Sequence, residues 1–224
     1  MRGGAPNPDA VKALAALLLL FVLVALPRVA VSSLGDEGAL EASASSLEEL
    51  HADPQAALGK RVRLRFQLRE ECAHWNPFVT RFGEGDYRAF DVWSDRQFLW
   101  EKEEWDAPIA RLFVRRGSPA EQSLSGGRRL ARFEAVVEAR QVFLGRPWLE
   151  VESARRVGDE LSEGTLLHAT RACEAAHEAR WAIAREALDQ ALLGAMPPAL
   201  RSELRRLREL AAHPPRDPAR HERR

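Results

Sequence analysis

Residues 59–68, GKRVRLRFQL, decide how this chain folds. Val62, Leu64, Phe66 and Leu68 alternate with Arg61, Arg63, Arg65 and Gln67. A period of two marks a strand with one buried and one wet face. Just upstream, Ser46 and Glu49 stand at capping-box spacing, and Asp53-Pro54 offers a second helix start. Gly59 falls where a helix ends in a left-handed residue. A broken helix therefore hands the chain to a first strand.

Downstream, residues 69–85 read as a loop, and the aromatic and β-branched run 87–93, YRAFDVW, as a strand. Residues 97–100 and 109–115 read as two more strands, and 118–128 as a polar connection with room for a helical turn. Residues 130–140 place Phe133, Ala135, Val137 and Ala139 on one face and Glu134, Glu138 and Arg140 on the other. Gly145-Arg146-Pro147 turns the chain into a last strand, 148–157. Five or six short strands separated by turns predict an all-β barrel.

The Gly-Lys lead into the first strand, the helix before it and the long connection before the fourth resemble an OB-fold barrel over roughly 46–158. The closing GRPWLEVESARRV resembles the last strand of OB-like anticodon-binding domains. The resemblance implies an α+β chain: a five- to six-stranded OB-like barrel with helices before and after it. It also implies that the first strand lies beside the fourth, so that Glu134 and Glu138 meet the arginine row 61, 63, 65 as a paired, solvated face.

Residues 75–105 hold four of the six tryptophans, the single tyrosine and four phenylalanines. In OB-folds a ligand face falls on the second and third strands and the loop before them. Phe90, Val92 and Phe98 are expected in the core. Trp75, Phe78, Arg81, Phe82 and Trp93 are the expected ligand- or partner-binding residues, since aromatic faces stack on bases, sugars or protein side chains.

From residue 163 the period changes to 3.6. Helices are expected over 165–179, 180–193 and 198–210, the last with an arginine-rich outer face. The row Trp181, Ala184, Leu188, Ala191 is the expected packing stripe, and it resembles the second helix of a tetratricopeptide repeat. A single such hairpin cannot bury its own face and must pack on something else. The Pro- and Arg-rich tail, 212–224, is expected to be disordered.

At the other end, residues 13–26, ALAALLLLFVLVAL, carry no polar side chain. This reads as a signal anchor or signal peptide within 1–31, the uncleaved anchor being favoured, followed by a Ser/Ala/Gly-rich linker over 32–45. The bulk of the chain is then expected outside the cytosol, tethered to the inner membrane of a bacterial envelope by one pass.

The totals exclude several classes. With 33 basic and 33 acidic residues the chain is neutral, and export further argues against a nucleic-acid partner. The sequence contains no GxSxG, HExxH, P-loop or GxGxxG motif, and no cofactor is implied. Cys72 and Cys173 allow one disulfide clipping helix to barrel, or two unrelated thiols, which is favoured. With His74 and His177 they offer, as a weaker alternative, a zinc set. The leading expectation is a non-enzymatic, membrane-tethered adaptor acting through protein contacts. The second is an OB-type binder of single-stranded nucleic acid or a glycan through residues 75–105.

Overall fold

A computed structural model describes residues 42–76 and 78–214. The expected anchor, most of the linker and the tail beyond 214 lie outside the described residues. Among the described residues no helix is long and apolar enough to cross a membrane.

A two-residue strand, β1 (Ser43–Ala44), runs parallel to the start of β2 in the stretch read from sequence as linker. The broken helix follows as expected. Helix α1 (Leu47–Ala52) is closed by a reciprocal capping box: Glu49 N–H donates to Ser46 Oγ, and Ser46 N–H to Glu49 Oε2, both at 3.2 Å. Helix α2 (Pro54–Ala57) is capped by Asp53, which accepts from Ala56 N–H at 3.0 Å. Gly59, at φ 72°, turns the chain into β2 (Arg61–Cys72).

Strand β2 runs four residues past the expected end, through a bulge between Leu68 and Glu70. A bulge bends and twists a strand, which lets one long strand serve two neighbours. Strands β3 (Tyr87–Ser94), β4 (Ala110–Arg115), β5 (Arg132–Phe143) and β6 (Arg146–Arg156) complete the sheet. Their order is β2-β3-β4-β6-β5, and β5 returns to pair with β2. The result is a closed five-stranded barrel, consistent with an OB-like one. The β4–β6 pair is parallel and the other barrel pairs are antiparallel.

Inside it, Val62, Leu64, Phe66 and Leu68 meet Phe133, Ala135, Val137 and Ala139 across the closing seam, with Phe90, Val92, Leu112, Val114, Leu149 and Val151 completing the core. Phe66 stacks on Phe133 at 5.9 Å. Leu47 and Leu50 of α1 enter the same core, as do Ala120 and Leu124 of a helix between β4 and β5. The polar connection thus holds more than a turn.

Residues 97–100 form turns, not the expected strand. The Gln97 side chain explains this. Its Oε1 accepts from Ser94 N–H at 2.9 Å, and its Nε2 donates to Glu104 Oε2 and to the Ala107 carbonyl, each at 3.0 Å. One buried amide pins a compact loop whose short helix is α3 (Lys102–Asp106). The helix between β4 and β5 is α4 (Pro119–Ser125). The β5–β6 turn is also one residue earlier than read: Leu144 and Gly145, both at positive φ, form a two-residue hairpin loop, and Arg146 already lies in β6.

Three helices follow: α5 (Glu163–His177), α6 (Trp181–Leu193) and α7 (Pro198–Ala212), the last ending two residues beyond the expected boundary. Their small-residue faces, including Ala172, Ala184 and Ala191, share one apolar cluster with Trp93, Leu99, Trp100 and Leu130 of the barrel side. Arg132 reinforces this junction. Its forked ion pair holds Asp95 (Nε–Oδ1 3.0 Å, Nη2–Oδ2 2.5 Å), and its Nη1 donates to the Gly158 carbonyl at 3.2 Å.

Gly127 lies where α4 turns back toward β5. A Cβ there would come within 2.8 Å of Leu68 Cδ2, 2.9 Å of Phe133 Cζ and 3.0 Å of the Leu124 carbonyl. Gly127→Ala should therefore destabilise the fold by about 1–3 kcal/mol by overpacking. Urea denaturation would show this as a lowered midpoint with an unchanged slope.

Candidate binding surface

The outer face of β3 and β4 is where the resemblance places a ligand, and here the chain covers it with its own loop. Alternation along β3 and β4 sends Phe90 and Leu112 inward and Ala89 and Phe113 outward. The β2–β3 loop folds back over the outward pair. Phe82 stacks on Phe113 at 4.4 Å, and Trp75 meets it edge-on at 5.5 Å. Trp75 is locked there because its Nε1–H donates to the Phe82 carbonyl at 2.7 Å. Tyr87 and Trp148 pack at the margin of this cluster.

Trp93 points into the second cluster, against the helices, and is fully buried. It stacks on Trp105 at 4.8 Å, and its Nε1–H donates to the Trp105 carbonyl at 3.3 Å. Three of the five expected binding residues, Trp75, Phe82 and Trp93, are therefore buried. The physical reason is a demand that strand reading cannot register. Each outward ring needs cover, and the nearest chain supplies it. Phe90 and Val92 are buried as expected, while Phe98 is only partly so, stacked on Trp100 at 5.2 Å.

Phe78 and Arg81 do reach the surface. Phe78 is 93% exposed. Arg81 is exposed, and its N–H donates to Gln141 Oε1 at 3.1 Å, joining the β2–β3 loop to β5 close to its hairpin tip. That tip carries Phe143, 38% exposed, and Leu144, 82% exposed. Sequence reading passed over both. The available signal was a leucine directly before Gly145, in a turn position that Asn, Asp or Gly usually fills. Leu144 takes φ 50° there, a left-handed conformation costing about 1–2 kcal/mol for a residue with a Cβ.

Two of the three arginines in the row, Arg61 and Arg65, are paired, while Arg63 lies opposite Val136 and makes no ion pair among the described residues. The register sets Arg61 opposite Glu138 and Arg65 opposite Glu134. Arg65 Nε does bind Glu134 Oε2 at 2.9 Å, and Arg155 Nη2 binds its other oxygen at 2.6 Å. Hydrogen bonds from Arg155 and Arg65 hold the Glu134 carboxyl below its usual range. Arg61 instead binds Glu152 at 2.7 Å, while Glu138 binds Arg140 at 2.8 Å. Such half-exposed pairs contribute at most about 1 kcal/mol each.

Of the helical stripe, Ala184, Leu188 and Ala191 are buried and Trp181 is half-buried at its edge. The cysteines are both free and belong to different apolar clusters, so no disulfide joins them. His74 and His177 are exposed, and among the described residues no three Asp, Glu, His or Cys side chains converge on a metal-sized site. Burial, and then the Asp91 carboxylate, push the Cys72 thiol up to about 12. Burial, and then Glu101, push Cys173 up to about 11.

Two outcomes follow from these placements. Trp93→Ala should cost about 3–5 kcal/mol, because it empties the junction between barrel and helices, and thermal denaturation would register it as a lowered Tm. Raised thiol pKa values leave little thiolate at pH 8, so alkylation of either cysteine in the folded protein should run at least about tenfold slower than that of a free thiol. Mass-spectrometric time courses with iodoacetamide would measure it.

Compared with protein-family models, curated proteins and solved structures, the chain matches none of them.

Proposed function

We propose that this chain is a non-enzymatic binding module of a bacterial cell envelope. Its N-terminal apolar run tethers it to the inner membrane, and the tips of two barrel loops engage a protein partner. The observation that carries the reading is the exposure of Phe78 and Leu144 together with the conformation of Leu144. Leucine in a left-handed turn gains no burial within this chain and pays a backbone cost. Strain of this kind, kept at a surface tip, points to a role outside the fold. Arg81 and Arg146, both exposed, flank the apolar tips. A matching partner offers an apolar recess rimmed by acidic side chains, an arrangement typical of hot spots.

The OB-like and tetratricopeptide-like resemblances support a binding role and name no ligand. Recognition of single-stranded nucleic acid or a glycan through residues 75–105 would need open aromatic faces. Burial of Trp75, Phe82 and Trp93 counts against it. The helices share their core with the barrel, so they act as a buttress in this reading, and their deletion would damage both.

Photoreactive amino acids placed at Phe78 and Leu144 in intact cells should capture one discrete protein adduct, absent when the probe sits at Arg63 on the wet face of β2. Leu144→Asn should raise stability by about 1 kcal/mol by suiting the turn, yet abolish the Phe78 adduct. Equal capture at all three positions would refute the assignment, and so would its absence at both tips.

A further inference from the structure

Beyond the loop tips, and sharing Arg146 with them, lies a cleft of about 190 Å³ at the foot of the parallel β4–β6 pair. The ladder between these strands begins only at Leu112 and Leu149. Below it the strands part, and Pro147 brings no N–H to close the gap. Into the opening come His51 from the last turn of α1, Arg111, Arg146 and Trp148, with Ile109 and Pro147 as an apolar wall.

The polar groups are nearly all donors. Asp91 is the single carboxylate in the lining, and Arg111 already holds it in a fork (Nε–Oδ1 2.7 Å, Nη2–Oδ2 3.0 Å). Arg146 is exposed and makes no salt bridge among the described residues. Two nitrogens shielded from water, Trp148 Nε1 and His51 Nε2, have no hydrogen-bond partner. Atoms so shielded are also beyond the reach of a molecule in the cleft, which leaves Arg146 as the donor it presents. Burial, and then Arg146, hold His51 below the usual imidazole range, so the ring is neutral at neutral pH. With Asp91 cancelling Arg111, one positive charge faces the cleft.

We infer that this cleft binds a short-chain monocarboxylate, its carboxylate held by Arg146 and its hydrocarbon laid against Ile109, Pro147 and the Trp148 ring. The flat guanidinium fork matches a carboxylate. One net charge suits a monoanion, and a phosphate dianion would remain half-neutralised. The volume, that of roughly six waters in liquid, has room for a few carbons.

The test uses the full chain in detergent, with its six tryptophans replaced biosynthetically by 5-fluorotryptophan and the Trp148 resonance assigned through Trp148→Phe. Butyrate should shift that resonance saturably, with the other signals nearly still. Arg146→Gln, an exposed change whose fold the remaining resonances verify, should weaken binding at least about tenfold. Arg205→Gln, on the exposed face of α7, should leave it unchanged, and inorganic phosphate should produce no saturable shift. The inference fails if butyrate gives no saturation by about 50 mM, a very weak affinity even for so small a ligand. Equal binding by Arg146→Gln, or an equal response to phosphate, overturns it as well.

Discussion

Everything in this molecule hangs on the seam where β2 pairs with β5. Those two strands are distant in sequence, and their pairing turns a sheet with open edges into a closed barrel. The seam works because both strands alternate in phase. Opposite Leu64 lies Ala135, opposite Phe66 lies Phe133, and a slip of one residue would drive arginines into the core. The same register sets arginine and glutamate side by side on the outside. Two of the three arginines in a row that resembles a nucleic-acid grip are thereby occupied with the chain's own carboxylates.

Closure leaves the outer faces to be dealt with, and the chain treats them differently. One wall, over Phe113 and Ala89, is roofed by the β2–β3 loop through Trp75 and Phe82. Another, around Trp93, is roofed by the Gln97 loop and three helices. The aromatic richness of residues 75–105 thus serves to bind the chain to itself. On the barrel, the large apolar side chains left most exposed are Phe78 and Leu144, both on loops, while Leu167 and Leu193 stand exposed on the helices. The structural economy explains why the residues most attractive as ligands' partners were mostly consumed by packing.

Helix–barrel attachment follows the same logic. A hairpin of small residues lets α5 and α6 approach closely, but it needs large side chains from outside to fill its open side. Trp93, Leu99 and Trp100 provide them. Barrel and helices are consequently one folding unit energetically, although their sequence periodicities differ sharply.

The chain by itself determined what depends on neighbours in sequence. The alternation in 59–68, the Ser46–Glu49 box, the Asp53 cap, the Gly59 turn and the 3.6-residue period after 163 each act through contacts a few residues long, and each was legible in the order of residues. The β1 pairing, the loop pinned by Gln97, the cover over Phe113 and the burial of Trp93 depend on side chains brought together from far apart. Only the tertiary structure decided them. A ring on a strand has the same local preference whether solvent, a ligand or its own loop lies above it, and the choice among these is made by what the closed barrel leaves within reach.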